Sequence, residues 1–273
     1  MAAVSLEIES GLGLITLGQG QDGNRLGPEL LGELKQALKS VTDDPRIRVL
    51  LLRSNTKTFC LGMDLQALQK ASWQQEAISQ SIQLYLDVLK GIYFAGKPVV
   101  AIIQGDVKAG GVGLAAACDY LLGTEDASFE MAEVFFGLIP ANVLPVLQGF
   151  RLSPASCRAL ILSAKKILAE EALRLGLIDE LVKAPNLEKR LKELLKRLMS
   201  FAPSALAETK RLTYELAGRD LNQMFSQTSA TLQKLLLSQE VQQGISLFLE
   251  GGMPAWAERF KATRPLVLRE EES

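Results

Sequence analysis

The chain has 273 residues, 48% of them hydrophobic, which is enough for a large core or for a domain with an appended subdomain. Its 30 basic and 31 acidic residues leave a formal net charge of -1, so charge favours neither nucleic acid nor an anionic membrane surface as a partner. It contains no histidine, which excludes histidine-activated serine or cysteine nucleophiles, histidine metal ligands and a general base titrating near neutrality without perturbation. Proton transfer falls to a carboxylate, lysine, tyrosine or water.

Short strands are predicted over Val4–Ile8 and Leu12–Leu17, followed by a polar loop from Gly18 to Gly27. Pro28 suits a first helical turn, and Leu30, Leu31, Leu34, Ala37, Leu38 and Val41 recur at helical spacing, which predicts a helix from Pro28 to about Ser40. The run Val49–Leu52 reads as a buried strand and leads into the segment Phe59-Cys60-Leu61-Gly62-Met63-Asp64. A polar helical stretch through Gln83 and an apolar helix from about Ile82 to Ala95 come next, ended by Gly96-Lys97-Pro98. Pro98–Ile103 is a second buried strand, leading into Gly105-Asp106-Val107-Lys108-Ala109-Gly110-Gly111-Val112-Gly113. A small-residue helix over Val112–Cys118 precedes strands at Asp119–Leu122 and Ala127–Glu130. This alternation of strand and helix predicts α/β architecture.

Beyond Pro140 the pattern is helical, over Val143–Gly149, Pro154–Ser163, Ala169–Leu175, Leu187–Phe201, Pro203–Ala217 and Leu221–Ser238, with Ile178–Val182 as an edge strand. The expected division is a core over 1–200, a packed helical region over 201–260 and a loose tail over 261–273. Cys60, Cys118 and Cys157 lie in apolar surroundings without paired spacing, so they read as small buried hydrophobes in a reducing compartment. That spacing suits no tetrahedral zinc site, no calcium loop appears, and no metal is expected. The N-terminus lacks a basic region and a long apolar run, and no stretch approaches the roughly 18 apolar residues of a membrane span. A cytoplasmic location is expected.

The two glycine-bearing segments each follow a buried strand. Small residues at a strand end allow close backbone approach, and a helix opening there leaves its first N–H groups without intrahelical partners. Two such ends brought together could aim two amide donors at one oxygen, which suits a carbonyl that becomes an enolate. Either segment alone reads more readily as a packed strand-to-helix turn.

Phe59 to Leu65, Gly105 to Asp119, Ala127-Ser128-Phe129, Glu133 and Gly137-Leu138-Ile139-Pro140 stand in the order of the crotonase (enoyl-CoA hydratase/isomerase) superfamily, which the chain resembles. Ala169 to Asp179 and Gly244 to Glu250 extend that resemblance, which covers about Val4 to Phe260. It implies a spiral of ββα turns with C-terminal helices that assemble trimers, often paired into hexamers. It also implies that the backbone N–H groups of Met63 and Gly110 form an oxyanion hole for a thioester carbonyl, with the helix dipole behind Gly110 adding partial positive charge. Of the two glutamates that family hydratases use to place and activate water, the second is retained as Glu133, and the first position is Gly113. Asp64, Lys108, Gly113 and Asn142 are expected around the substrate pocket.

Within the superfamily, Ala109 to Gly113, Glu133 and Pro140-Ala141-Asn142-Val143-Leu144-Pro145 are most similar to the dehydratases of polyketide β-branching cassettes. Those enzymes act on 3-hydroxy-3-methylglutaryl groups carried on an acyl carrier protein. The resemblance implies no cofactor beyond the phosphopantetheine or coenzyme A thioester that carries the substrate. An acyl-CoA hydratase or isomerase and a noncatalytic binding protein on the same fold are the alternatives.

Two further features carry rival readings. Lys189, Arg190, Lys192, Lys196 and Arg197 give the Leu187–Met199 helix a basic face, which reads as solvated or as a docking face for an acidic carrier protein. Gly18-Gln19-Gly20-Gln21-Asp22-Gly23 matches G-x-G-x-x-G by letter, but Asn24 to Pro28 delays the helix, and Arg53 follows Leu52 where a dinucleotide fold places an acid.

Overall fold

The computed structural model describes residues 2–18, 23–216 and 220–254. The centre of the Gly18–Gly23 loop and the expected tail over 261–273 lie outside the described residues. The chain opens with the antiparallel pair β1 (Val4–Glu9) and β2 (Leu12–Leu17), then α1 (Pro28–Asp43), β3 (Val49–Ser54), β4 (Thr58–Cys60), α2 (Leu65–Lys70) and α3 (Gln75–Tyr93). Next come β5 (Val99–Ile103), β6 (Asp106–Lys108), α4 (Gly110–Ala116), β7 (Tyr120–Thr124) and β8 (Ser128–Glu130). A 3₁₀ turn, Glu133–Phe136, leads to α5 (Val143–Val146), a π-helical turn over Leu147–Arg151, α6 (Pro154–Ser163), β9 (Ile167–Leu168), α7 (Ala169–Leu175) and β10 (Glu180–Val182). Four helices finish the described chain: α8 (Leu187–Met199), α9 (Pro203–Leu216), α10 (Leu221–Leu236) and α11 (Gln239–Leu249).

The strands form two sheets, a six-stranded one ordered β1-β2-β3-β5-β7-β10 and a four-stranded one ordered β4-β6-β8-β9. The chain steps from the large sheet to the small one at β3–β4, β5–β6 and β7–β8, and two of these steps lead into helices, which is the expected ββα spiral. β3, β5 and β7 pair in parallel and are covered on both faces, so β5 and the Val49–Leu52 stretch of β3 are unbroken apolar runs rather than alternations. On one face Leu30, Leu31, Leu34 and Leu38 of α1 join Ile78, Ile82, Leu86 and Leu89 of α3 in the main core. On the other, Leu187, Leu191 and Leu194 of α8 cover Val49, Leu51, Val100 and Ile102.

Several elements differ from the sequence reading. α3 is a single helix from Gln75, because Ile78 lies on the same buried stripe as Ile82, Tyr85 and Leu89, while polar residues fill the opposite face. α4 begins at Gly110 rather than Val112, since glycine's poor helix propensity hides a start that close packing requires. β4, β6 and β9 are too short to show a period. α11 is an additional helix, capped by Ser238, whose side chain accepts from the Val241 N–H. Among the described residues no helix is long and apolar enough to cross a membrane.

Candidate active site

β4 and β6 are parallel neighbours, so Leu61-Gly62-Met63 and Ala109-Gly110 emerge side by side. The approach is too close for side chains. A Cβ on Gly62 would stand 3.0 Å from the Gly110 nitrogen, and one on Gly111 would stand 2.5 Å from the Cys60 carbonyl oxygen. Gly62 has a φ of 83°, and Ala109 reaches a φ of 47°, sparsely populated for a residue with a Cβ, to turn the chain into α4.

The orientation of the two amides follows from peptide planarity. The Gly62 carbonyl accepts from the Leu26 N–H at 2.8 Å, and the Met63 N–H of the same peptide therefore points the opposite way. The Ala109 carbonyl accepts from the Val112 N–H at 2.9 Å, and the Gly110 N–H opens the helix with no intrahelical acceptor. Among the described residues neither amide donates a hydrogen bond. Met63 and Gly110 line one cavity, together with Tyr85, Glu133 and Asn142.

Glu133 opens the 3₁₀ turn that follows β8, a turn closed by Gly137 at a φ of 72°. Its Oε2 is sealed from solvent and has no hydrogen-bond partner. Burial pushes its carboxyl up to about 7, opposed by a hydrogen bond from its own backbone N–H. A carboxyl in this range exchanges a proton near neutrality, the property that an absent histidine would otherwise supply. Asn142 is buried, and its Oδ1 accepts from Ser229 Oγ of α10 at 2.8 Å. This bond fixes the amide and leaves Nδ2 as a buried donor without a partner.

Asp64, Lys108 and Gly113 are not among the residues that line the cavity. Asp64 caps α2, accepting from the Ala67 N–H at 3.0 Å. Lys108 pairs with Glu130 across β6 and β8 at 2.8 Å. Gly113 is buried within α4, where a Cβ would meet the Tyr85 hydroxyl at 2.4 Å and Val143 Cγ2 at 3.1 Å. Gly113→Glu is therefore expected to slow thioester turnover rather than raise it, and to lower stability by about 1–3 kcal/mol through overpacking. Steady-state rates and thermal melts check both; faster turnover in the variant would sink the expectation.

Tyr85 was not among the site residues read from the sequence. Its place on the apolar stripe of α3 gives it the pattern of a core aromatic. The lack of histidine was the one available signal, since it leaves tyrosine among the few protic groups. Burial pushes the thiols of Cys60 and Cys118 up to about 12, so they pack as neutral groups. Gly23 lies ahead of α1, whereas the third glycine of a dinucleotide turn lies inside the helix. The basic face of α8 is partly self-paired, Arg190 with Glu180 and Lys192 with Glu188.

A family described as enoyl-CoA hydratase/isomerase matches residues 7–259. A crotonyl-CoA hydratase of Syntrophomonas wolfei is 27% identical over 256 residues, covering 90% of this chain and 95% of the relative. A carnitinyl-CoA dehydratase of Proteus mirabilis is 28% identical over 242 residues, covering 86% of this chain and 91% of the relative. Among solved structures, an enoyl-CoA hydratase from Bacillus halodurans superposes with a TM-score of 0.82 at 27% identity, covering 89% of this chain and 99% of that one. An enoyl-CoA hydratase from Mycobacterium avium gives 0.83 at 26% identity, covering 94% and 99%.

Proposed function

The chain belongs to the enoyl-CoA hydratase/isomerase family and is a hydro-lyase of the crotonase type, and on that premise we propose that it removes water from a 3-hydroxyacyl thioester. The observation that carries this reading is the Glu133 carboxyl, its Oε2 sealed from solvent without a partner, in one cavity with the Met63 and Gly110 amides. In this reading the thioester carbonyl oxygen accepts from both amides, which lowers the cost of forming an enolate. Glu133, as carboxylate, takes the α-proton. The C–O bond to the β-hydroxyl then breaks, and Glu133 returns the proton to the departing oxygen.

The narrower proposal is that the acyl group is 3-hydroxy-3-methylglutaryl on an acyl carrier protein, converted to the 3-methylglutaconyl form in polyketide β-branching. Its support is the similarity of Ala109 to Gly113, Glu133 and Pro140 to Pro145 to that group of dehydratases. Glu133 is the one carboxylate among the described residues that line the cavity, in keeping with a mechanism that uses a single acid/base. The Nδ2 of Asn142 offers a neutral donor to the far end of the acyl group. An acyl-CoA substrate is the second reading, favoured by the CoA thioesters in the names of the relatives. We assign trimer formation to the C-terminal helices, which leave Leu237, Leu247 and Phe248 exposed.

Mass spectrometry of acyl thioesters after incubation tests the proposal. The expected result is loss of one water from the 3-hydroxy-3-methylglutaryl carrier protein and none from 3-hydroxybutyryl-CoA. Equal loss from both would keep the hydro-lyase and remove the narrower substrate; loss from neither would remove dehydration itself.

A further inference from the structure

α3 crosses α4 at the one position where the retained acid lacks its family partner. The Tyr85 hydroxyl fills the space that a side chain at Gly113 would occupy, 2.4 Å from where that Cβ would stand. It donates to the carbonyl of Gly110, whose own N–H opens α4 at the cavity. Tyr85 lines the same cavity as Glu133. Burial holds the phenol well above its ordinary pKa, so it stays protonated at neutral pH. With its single hydrogen committed to Gly110, its oxygen has only acceptor capacity left.

Resting on the dehydratase reading, we propose that Tyr85 accepts the hydrogen bond of the substrate's β-hydroxyl and turns that oxygen's remaining lone pairs toward Glu133. Tyr85 is then a catalytic residue standing where a second carboxylate would be, without itself gaining or losing a proton. The Glu133 carboxylate takes the α-proton, the C–H electron pair becomes the new double bond as the C–O bond breaks, and the departing hydroxide takes the proton back from Glu133. Water leaves, and both side chains return to their starting states. A tyrosine serves here because a second carboxylate would compete for the same proton, whereas a neutral hydroxyl only orients the leaving group.

Tyr85→Phe removes one oxygen and keeps the ring in the core. Its kcat for water loss is expected to fall by about 10- to 100-fold, the scale of a misplaced reacting group. Binding supplies a readout that a purely structural role would not move. In the Glu133→Gln background, which slows turnover by about 10²-fold or more, a 3-hydroxyacyl thioester should bind up to roughly tenfold more tightly than its 3-deoxy analogue, the scale of one net hydrogen bond. Tyr85→Phe should bind the two alike. Gly113→Ala, whose methyl displaces the hydroxyl, should slow the wild type and add little to Tyr85→Phe. A Tyr85→Phe protein with unchanged kcat and unchanged preference for the hydroxyl would overturn the role and leave the dehydratase reading standing. Additive effects of Gly113→Ala and Tyr85→Phe would also overturn it. A wild type that removes water from no 3-hydroxyacyl thioester would overturn the dehydratase reading and this role with it.

Discussion

Glu133→Gln is expected to lower turnover by about 10²-fold or more while leaving fold and thioester binding in place, the usual scale for loss of a general acid/base. The substitution keeps the shape of the side chain and removes its exchangeable proton. Because burial sets the Glu133 carboxyl at about 7, and the carboxylate is the form that takes the α-proton, wild-type kcat/KM for water loss should rise as pH rises through that value. The same shift has a sign for stability. A carboxyl raised from 4.5 to about 7 in the fold binds its proton more tightly folded than unfolded, so its contribution is present below 4.5 and is lost as pH rises through about 7. Glu133→Gln escapes that loss, so its melting temperature should gain on the wild type across this window and keep the advantage above it. Thermal melts from pH 4 to 9 and the rate profile together check the assignment. A variant with near wild-type rate would take Glu133 out of the mechanism.

Gly110→Pro should cost about 2.7–4 kcal/mol of transition-state stabilisation, or roughly 10²–10³ in rate, because it deletes one donor to the developing oxyanion. Trimming a side chain cannot remove a backbone hydrogen bond, whereas proline lacks the N–H itself. Gly110 is the first residue of α4, a position where proline is well tolerated in helices. The added Cβ would stand 2.9 Å from Leu26 Cδ1, the end of a flexible side chain. Gly110→Ala introduces the same Cβ and keeps the N–H, so it separates crowding from loss of the donor. Circular dichroism and oligomer size must match the wild type in both variants. A folded Gly110→Pro protein within a few fold of the Gly110→Ala rate would show that this amide does not hold an enolate.

The contrast between Gly62 and Tyr85 explains what could be read early. A glycine cluster at a strand end announces close backbone approach, and the structure places Gly62 against Gly110 and Gly111 against Cys60 in just that way. Tyr85 announces nothing of the kind. Its spacing from Ile82 and Leu89 says only that it faces inward, and an inward aromatic is ordinarily packing. Short β4, β6 and β9 escaped for a related reason: a strand of two or three residues has no period, yet β4 and β6 align the ends that bear the site.

By itself the sequence determined the α/β alternation, the buried strands, the apolar stripes of α1 and α8, the order of the glycine segments and the absence of both histidine and an acid at position 113. These are local properties, carried by the chemistry and spacing of neighbouring residues. Only the tertiary structure decided that the Tyr85 hydroxyl fills the space beside Gly113, that Ser229 fixes the Asn142 amide from 87 residues away, and that the Glu133 carboxyl titrates near neutrality. The physical reason is that periodicity says which face of an element is buried, whereas hydrogen-bond partners and desolvation depend on what it is buried against. Here those neighbours are supplied by distant segments that meet at the ends of crossing strands and helices.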